Sequence, residues 1–335
     1  MPPGQRGKPL VANQAADQVT LFGVPQAEDG VKGGSPLREK AGVEAVDSLY
    51  LQLLYRCNFR CKHCFHGDAL NRRDAFGVDD ATSLIDLFVD DFNTRRVVLL
   101  GGEPLLHPGF ADVVRHAHGR ACWTEVCTNG YQIDRKLPPV AGHLDMLRVS
   151  LEGLPDTNDE VRHRGAFAAG TQAIETAVAL GIRTGVTLTV NALNVDEIAE
   201  LTRRLAALGV VELKLHQLRK VGYASSYWDL LGPGPGVGAR LQRQLEACRA
   251  DSPSVQVMVD DDLTARDHGP NVEDRSHLDR IEVAPDGSMY ISCKAVGTAA
   301  NAFSYDAPSR SIRYRPHETD EVACTIRDVH YKANP

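Results

Sequence analysis

Short apolar runs alternate along this chain with longer segments in which apolar residues recur about every three or four positions. Six runs have the length and aliphatic content of buried strands, and they cover residues 48–54, 96–100, 123–128, 144–151, 183–190 and 211–218. Segments with helical spacing separate them, over residues 79–92, 108–118, 171–180 and 195–208. This alternation predicts an α/β fold in which a parallel sheet is covered by outer helices.

The alternation stops at both ends of the chain. Residues 1–46 are rich in Gly, Pro, Gln and charged residues, and only residues 19–24 suggest a short strand. We expect this N-terminal segment to be a flexible extension or a lid on a main domain of residues 47–231. Glycine and proline dominate residues 232–238, which begin a C-terminal extension over residues 232–335.

The C-terminal extension has two recognisable elements. Helical spacing predicts a helix over residues 239–249. The pair Asp286-Gly287 is typical of a tight turn, and it separates residues 280–283 from residues 288–292. We therefore predict a β-hairpin at this point of the extension.

Composition limits the classes of function. Hydrophobic residues make up 43% of the chain, and the formal net charge of −7 argues against nucleic-acid phosphate as the main partner. No run of about eighteen apolar residues and no basic-then-apolar start occur, so we expect no membrane span and a cytoplasmic location. Eight cysteines then favour thiol chemistry over disulfides. Cys122 and Cys127 lie beside or on the third predicted strand, where small buried thiols are common.

Three cysteines stand close together directly after the first predicted strand. Cys57, Cys61 and Cys64 are separated by three and two residues. Thiolates this close in sequence can bind one soft metal centre. Three thiolates leave one iron of a four-iron cubane without a protein ligand, and that iron is free to bind a small chelating molecule. A structural zinc site is the alternative, with His63 or His66 as the fourth ligand.

The cysteine spacing resembles the motif of the radical S-adenosylmethionine (radical SAM) superfamily. The resemblance implies a 4Fe-4S cluster held by Cys57, Cys61 and Cys64, with the amino and carboxylate groups of SAM on the open iron. In that family an electron from the cluster cleaves a C–S bond of SAM and leaves a 5′-deoxyadenosyl radical, so an electron donor such as flavodoxin or ferredoxin is expected. The family's fold, a partial (β/α)6 TIM-type barrel, agrees with the six predicted strands, and its cofactor site lies at their C-terminal ends.

Two motifs at predicted strand ends resemble the family's contacts with SAM. Gly101, Gly102 and Glu103 begin a Gly-Gly-Glu-Pro sequence after the second strand, and the GGEP element of the family contacts the amino group of SAM. Glycines allow close backbone approach, and a carboxylate can accept hydrogen bonds from an ammonium group. Asn129, in a Thr-Asn-Gly sequence after the third strand, resembles the TNG of the family and is expected to touch the cofactor or the substrate.

Further polar residues follow the fourth and fifth predicted strands. The family often places a serine in the position of Ser150 near the ribose of SAM. An arginine after the fourth strand resembles the one that pairs with the SAM carboxylate, and we prefer Arg164, which precedes a glycine, to Arg162. Asn191 is expected to bind a ribose hydroxyl. The alternative for each of these residues is an ordinary polar position near a strand end.

The remaining cysteines bear on the type of radical SAM protein. Residues 281–293 resemble the hairpin of SPASM and twitch extensions, which use several cysteines to hold additional clusters. Only Cys293 and Cys324 follow Cys248, so one auxiliary cluster would need Cys248 or a non-cysteine ligand, and the sequence favours a single cluster. Without a cluster, the thiol of Cys293 is a candidate donor of a hydrogen atom to a substrate radical, as in some epimerases of the family. A packed strand cysteine is the alternative.

The sequence therefore predicts an enzyme that abstracts a hydrogen atom from an unactivated substrate carbon. We expect a role in natural-product biosynthesis, with a sugar, aminocyclitol or nucleoside as substrate and with epimerisation, dehydrogenation, dehydration or decarboxylation as the outcome. His216, Arg219, Lys220 and Tyr223 follow or end the sixth strand, where they are placed to bind such a polar substrate. The alternatives are a radical SAM maturase of a ribosomally made peptide and a non-catalytic protein that binds a cluster or zinc.

Overall fold

Parallel strands form most of the β-sheet in the part of the chain that the structure describes. The computed structural model describes residues 34–260, 276–290 and 303–314. Three features of the sequence analysis lie outside these described residues, namely the strand candidate at residues 19–24, Cys293 and Cys324.

One sheet of nine strands carries the fold. The strands of the described residues are β1 (Ala45–Gln52), β2 (Arg96–Leu100), β3 (Trp123–Thr128), β4 (Met146–Ser150), β5 (Arg183–Val190), β6 (Glu212–Gln217), β7 (Gln256–Val259), β8 (His277–Val283), β9 (Met289–Tyr290), β10 (Phe303–Asp306) and β11 (Ser311–Tyr314). The order in the large sheet is β7-β6-β5-β4-β3-β2-β1-β8-β9. All neighbours from β7 to β8 are parallel, so each strand presents its C-terminal end at the same edge.

Strands β1 to β6 are the six strands that the sequence predicts, and the partial TIM-type barrel with a C-terminal extension is confirmed. Three further strands, β7, β8 and β9, complete the sheet. Strand β7 pairs with β6, and its four residues are too short to give a recognisable pattern. Strand β8 pairs in parallel with β1, with Ala45 opposite His277 and Leu51 opposite Val283. The pattern predicts β8 itself, but periodicity carries no information about a partner this distant along the chain.

Helices connect the strands and cover one face of the sheet. Those of the described residues are α1 (Pro36–Ala41), α2 (Val78–Phe92), α3 (Phe110–Gly119), α4 (Ile133–Lys136), α5 (Pro155–Val161), α6 (Ala166–Ala179), α7 (Ile198–Ala207), α8 (Tyr223–Ser226), α9 (Trp228–Leu231) and α10 (Val237–Asp251). Helix α1 lies in the segment for which the sequence predicts no helix. It forms because a proline begins it and Gly42, with φ 68°, ends it, and because Leu37 is fully buried in the core.

The two faces of the sheet differ in polarity. The outward side chains of the barrel strands are aliphatic and fully buried beneath the helices; they include Leu49, Leu51, Val97, Leu99, Leu147, Val186, Leu213 and Leu215. The inward side chains alternate with them and are largely polar. Arg148 Nε lies 2.7 Å from Glu125 Oε1, and Arg148 Nη2 lies 2.9 Å from Glu212 Oε2. Arg96 and Arg183 extend this chain of ion pairs, so charged groups from β2 to β6 fill the lower part of the barrel interior.

Antiparallel strands complete the described part of the C-terminal extension. Strands β8 and β9 pair through Glu282 and Tyr290, and Gly287, with φ 85°, occupies the turn between them. A second pair, β10 and β11, contacts this turn through the bridge between Ser288 and Ser304. The likeness of this hairpin to SPASM and twitch extensions stays a prediction. Among the described residues, no helix is both long enough and apolar enough to cross a membrane.

Candidate cluster and cofactor site

The cysteine loop, residues 53–66, leaves the C-terminal end of β1 and folds back against neighbouring strand ends. The amide of Cys64 donates to the carbonyl oxygen of Cys61 at 3.1 Å, which closes a turn between these two cysteines. The amide of Lys62 donates to the last carbonyl oxygen of α5 at 2.8 Å, and the amide of Tyr223 donates to Cys64 O at 2.9 Å. Backbone hydrogen bonds therefore attach the loop to α5 and to α8.

The paired glycines after β2 form the seat of the cysteine loop. The amide of Gly102 donates to Leu54 O at 2.7 Å, and the amide of Glu103 donates to Arg56 O at 3.1 Å. Gly101 has φ 143°, and a Cβ atom on either glycine would lie closer than 3.0 Å to a backbone carbonyl oxygen of the loop. The motif predicts a close approach of the glycine backbone to the cofactor. In the structure, the backbone of the cysteine loop occupies the space that the missing side chains leave.

Glu103 is the centre of a hydrogen-bonded network at the end of β2. Its carboxylate accepts from Thr128 Oγ1 at 2.7 Å, from the amide of Asn129 at 2.8 Å and from the amide of Leu105 at 3.1 Å. Glu103 is only 1% exposed, and burial raises the pKa of its carboxyl group to about 7 in spite of these three donors. A cationic partner stabilises the charged form of a buried carboxylate whose pKa is raised, so the site favours an ammonium group.

Asn129 connects the end of β3 to the first cysteine. Its Nδ2 donates to Asn58 Oδ1 at 2.9 Å and lies 3.8 Å from Cys57 Sγ. Its Oδ1 accepts from the amide of Tyr131 at 3.1 Å. The residue predicted to touch cofactor or substrate therefore lies beside a cysteine of the motif.

The three thiols of the motif lie near a cationic side chain, and Cys61 is buried while Cys57 and Cys64 are half-buried. Burial raises the pKa of Cys57 to about 12 and that of Cys64 to about 11, and it also raises the pKa of Cys61. The Arg162 guanidinium acts in the opposite direction on Cys61 and Cys64. Iron would bind these groups as thiolates, and Arg162 would compensate part of their negative charge.

The three thiols and the unpaired nitrogen atoms near them fit a four-iron cluster with a small molecule beside it. Buried nitrogen atoms without hydrogen-bond partners belong to three side chains in and near the loop, namely His63 Nδ1, His66 Nε2 and Arg162 Nε. A buried nitrogen atom without a hydrogen bond reduces the free energy of unfolding unless another group contacts it. Among the described residues, no three His, Cys, Asp or Glu side chains converge on one metal ion. A cubane does not require that convergence, because each thiolate binds a different iron.

The two candidate arginines after β4 have different surroundings. The side chain of Arg162 is 8% exposed, and its Nη1 donates to Glu152 Oε1 at 3.2 Å. Arg164 is exposed and lines a cleft of about 360 Å³ together with Asn58 and Phe59. Arg164 is the predicted partner of the SAM carboxylate, and that assignment stays a prediction. The structure brings Arg162 to the cysteine thiols.

Ser150 and Asn191 both lie at strand ends but differ in their hydrogen bonds. Ser150 is half-buried on the inner side of β4, and its hydroxyl accepts from Thr187 Oγ1 at 3.4 Å. Asn191 is fully buried; its Nδ2 donates to Thr189 O at 3.0 Å and its Oδ1 accepts from the amide of Leu193 at 2.9 Å. Asn191 therefore stabilises the turn after β5, and its contact with a ribose hydroxyl stays a prediction.

Polar groups from β3 and β6 share the barrel interior. Lys214 and His216 lie on the inner face of β6, because their neighbours along the strand are fully buried on the outer face. His216 Nδ1 lies 3.0 Å from Asp260 Oδ2. Cys127, expected among core thiols, instead lies on the inner face of β3, where burial raises its pKa to about 12 and the charge of Lys214 acts against that rise. This interior offers charged and hydrogen-bonding groups to a substrate.

His216 is among the residues predicted to bind substrate, whereas Lys214 and Asp260 are not. The alternation of apolar and polar residues along β6 contains the signal for Lys214, because it stands between two leucines. Asp260 follows a strand too short to recognise, so only the fold brings it to His216. Of the other residues proposed near this end of β6, Lys220 lies with its Nζ 5.7 Å from the ring centroid of Trp228.

Cys248 is packed in the core rather than beside the cysteine loop. It is buried on α10, and its Sγ lies 3.3 Å from Thr202 Oγ1 of α7. An auxiliary cluster that used Cys248 would have to displace this packing. The auxiliary cluster therefore stays a prediction with Cys248 as a poor ligand.

Comparisons with known proteins agree with this geometry. The Radical SAM superfamily profile matches residues 51–205. The chain is 28% identical over 211 residues to mycofactocin maturase MftC of Mycolicibacterium smegmatis, across 61% of this chain and 52% of that protein. It is 32% identical over 168 residues to GTP 3',8-cyclase of Chlorobaculum tepidum, across 47% of this chain and 50% of that protein.

A solved structure supports the same fold. SuiB of Streptococcus suis, in its crystal structure with the precursor peptide SuiA, has a TM-score of 0.66 at 14% identity and covers 94% of this chain and 75% of its own. In its crystal structure with S-adenosylmethionine the TM-score is 0.63 at 15% identity, over 79% of this chain and 64% of its own.

The fold and the site thus define a partial barrel that carries a three-cysteine cluster motif at the C-terminal ends of its strands. Residues 51–205 of this barrel are a radical SAM domain. This domain implies a 4Fe-4S cluster and S-adenosylmethionine as cofactors. The chain spans about half the length of the curated relatives it matches.

Proposed function

We propose that this chain is an enzyme that cleaves SAM reductively and removes a hydrogen atom from a substrate carbon. The observation that carries the proposal is the convergence of the cysteine loop, Glu103 and Arg162 at one edge of the sheet. When bound, the cluster and SAM supply the electron and the 5′-deoxyadenosyl radical that this chemistry requires. The remaining tasks belong to side chains of the chain itself.

The cysteine loop holds the cluster. Cys57, Cys61 and Cys64 supply the thiolates, and the backbone bonds of the loop keep their spacing. Arg162 offsets the negative charge that the thiolates bring into a buried place. An acidic one-electron carrier such as flavodoxin or ferredoxin would deliver the electron, and the exposed Arg56 and Arg60 of the loop suit such a partner.

Glu103 and Arg162 hold the two ends of the methionine part of SAM. Glu103 accepts hydrogen bonds from its ammonium group, which favours the charged carboxylate in this buried position. Arg162 binds its carboxylate, because the guanidinium fork suits a carboxylate and its Nε lacks a partner. The exposed Arg164 is the weaker candidate for that role. Ser150 lies on the inner side of β4, in keeping with a place near the ribose.

The barrel interior receives the substrate. His216, oriented by Asp260, and the ammonium group of Lys214 offer hydrogen bonds and charge to a polar substrate. The ion pairs of Arg148 close the interior below them, so substrate and water enter from the cofactor end. The interior therefore supports a substrate with polar groups close to the reacting carbon.

A peptide is the substrate class we favour, in natural-product biosynthesis in the cytoplasm. The structural neighbour SuiB binds a precursor peptide, and its structure with that peptide aligns over most of this chain. The second candidate is a sugar, aminocyclitol or nucleoside, favoured by the polar groups of the barrel interior and by the similarity to GTP 3',8-cyclase. Epimerisation, dehydrogenation, dehydration and decarboxylation all begin with the same loss of a hydrogen atom.

Deuterium transfer distinguishes these substrate classes. The reduced, reconstituted protein is incubated with SAM and with carbon-deuterated peptides, sugars or nucleosides, and 5′-deoxyadenosine is analysed by mass spectrometry. Deuterium that reaches 5′-deoxyadenosine from a peptide supports the first proposal. Deuterium that reaches it from a sugar or nucleoside, and from no peptide, supports the second. If 5′-deoxyadenosine forms but contains no deuterium from any of the deuterated peptides, sugars or nucleosides, both substrate proposals are contradicted.

Cys293 is proposed as the donor that returns a hydrogen atom, if the outcome is epimerisation. In deuterated water an exchangeable thiol would place deuterium on the product carbon. Cys293→Ala should then stop product formation while 5′-deoxyadenosine still forms. Unchanged product from this variant would exclude the donor role.

A further inference from the structure

Glu152 follows β4 and is buried where three parts of the fold meet. It is only 2% exposed. Its Oε1 lies 3.1 Å from His63 Nε2 and accepts from Arg162 Nη1 at 3.2 Å. Its Oε2 accepts from the amide of Thr189 at 2.7 Å. One carboxylate therefore joins the cysteine loop, the segment after α5 and strand β5.

The backbone of Glu152 is held independently of the cysteine loop. Its amide donates to Asn158 Oδ1 at 2.8 Å, and its carbonyl oxygen accepts from Asn194 Nδ2 at 3.1 Å. Both asparagines are fully buried. The barrel framework therefore determines where the carboxylate lies, and the loop adjusts to it.

The partners of Glu152 adjoin the cluster ligands. His63 stands between Cys61 and Cys64 in the sequence, and Arg162 directly follows Val161, whose carbonyl oxygen accepts from the amide of Lys62 in the same loop at 2.8 Å. Glu152 binds one nitrogen of each partner. Another nitrogen of each partner, His63 Nδ1 and Arg162 Nε, is buried without a hydrogen bond. The carboxylate thus fixes two side chains whose unpaired atoms remain for a group beside the thiols.

We propose that Glu152 is a positioning residue that holds His63 and Arg162 against the cluster cysteines and sets the net charge that the cluster experiences. The proposal deepens the proposed function and rests on it, because it requires a cluster at these cysteines. A nearby negative charge disfavours addition of an electron to the cluster, and a nearby positive charge favours it. Removal of Glu152's charge and removal of Arg162's charge must therefore move the reduction potential in opposite directions.

Substitutions of similar shape test this relation. Glu152→Gln removes the negative charge and keeps an acceptor, and Arg162→Gln removes the positive charge. Glu197→Gln is the matched control. Glu197 holds the segment between β4 and α5 from its other side, through Leu154 N at 2.8 Å and Thr157 Oγ1 at 2.6 Å.

The measurement is a redox titration of the reconstituted full chain, followed by EPR. We expect a more positive midpoint potential in Glu152→Gln, a more negative one in Arg162→Gln and no shift in Glu197→Gln. We also expect iron to leave Glu152→Gln for a chelator about tenfold faster than it leaves the wild type. Potentials that shift in the same direction in the first two variants, or that do not shift, overturn the proposal.

Two outcomes separate this inference from the proposed function. If Glu152→Gln assembles no cluster, Glu152→Asp, which keeps the charge, should restore a cluster with the wild-type potential, and failure to do so overturns the inference. If the wild type itself assembles no cluster, the proposed function fails together with it. A normal wild-type cluster with no effect of Glu152→Gln contradicts the inference alone.

Discussion

The hydroxyl of Thr128 donates a hydrogen bond to Glu103 Oε1 at 2.7 Å, which joins the ends of β3 and β2 beneath the cysteine loop. The amide of Asn129 donates to the other carboxylate oxygen at 2.8 Å. The Gly-Gly-Glu-Pro and Thr-Asn-Gly motifs are therefore one structural unit. The carboxylate is oriented by protein donors before any ligand binds.

Glu103→Gln tests whether this carboxylate binds the ammonium group of SAM. The amide keeps an acceptor for Thr128 but has no charge, so SAM should bind about tenfold more weakly. Calorimetric titration of the reconstituted, unreduced protein with SAM measures the dissociation constant. Thr128→Val, which only removes a donor to the same carboxylate, should have a smaller effect. An unchanged dissociation constant in Glu103→Gln would exclude the assigned contact.

The two arginines after β4 should differ in their effect on SAM binding. Arg162→Ala should weaken binding about tenfold or more, because a buried, partly unpaired guanidinium is lost next to the thiols. Arg164→Ala should leave the dissociation constant nearly unchanged, because Arg164 is exposed in the cleft beside Phe59. The same titration compares both variants. The reverse order would restore Arg164 as the partner of the SAM carboxylate.

Gly102→Ala tests the seat of the cysteine loop. A Cβ atom at this position would collide with backbone carbonyl oxygens of Tyr55 and Arg56, so the loop must move away from β2. We expect the iron content after reconstitution to fall well below half of the wild-type value, with the helical signal in circular dichroism retained. Gly142→Ala is the control, because no atom lies within 4 Å of its added Cβ. A fully loaded Gly102→Ala protein would contradict the proposed seat.

The ion pairs inside the barrel predict a pH dependence of stability. Burial acts to raise the pKa of Glu212, but hydrogen bonds from Arg183 and Arg148 outweigh it and lower this pKa. A carboxyl group whose pKa is lower in the folded state stabilises the protein above its unfolded pKa, and this contribution disappears as pH falls through the folded pKa. Glu212→Gln should therefore lose about 2 kcal/mol of unfolding free energy near neutral pH, and the difference should shrink below about pH 4.

Denaturant unfolding of the apoprotein across this pH range measures the effect. Glu200→Gln is the control, because the pairs of Glu200 with Arg203 and Arg204 are at the surface and are expected to contribute little. A loss of stability in Glu212→Gln that is equal at every pH would contradict the ionic explanation.

The sequence was sufficient for the framework of the fold. Strands β1 to β6 bury aliphatic residues on their outer faces, and this regular pattern is a local property that can be recognised without contacts. The parallel pairing of β8 with β1 could not be predicted in the same way. It joins Gln52 to Glu282, which are 230 residues apart, and only tertiary contacts define such a pair.

The candidate site was predictable as far as motifs identify residue types. The cysteines and Glu103 stand in short local sequences whose chemistry is specific. The choice between Arg162 and Arg164 was not predictable from the same segment, because both are arginines at the end of one short helix. The two differ in burial, and burial depends on how α5 packs against the cysteine loop. The role of Asp260 likewise follows from the pairing of β7 with β6.

The most direct measurement is the reaction of the anaerobically reconstituted protein with dithionite and SAM, with 5′-deoxyadenosine as the analysed product. We expect a brown iron-containing protein that forms 5′-deoxyadenosine, and Cys61→Ala should lose both properties. Cys122→Ala should retain both, because Cys122 is a buried thiol outside the motif. A colourless wild-type protein that binds zinc, or product formation that survives in Cys61→Ala, would contradict the account.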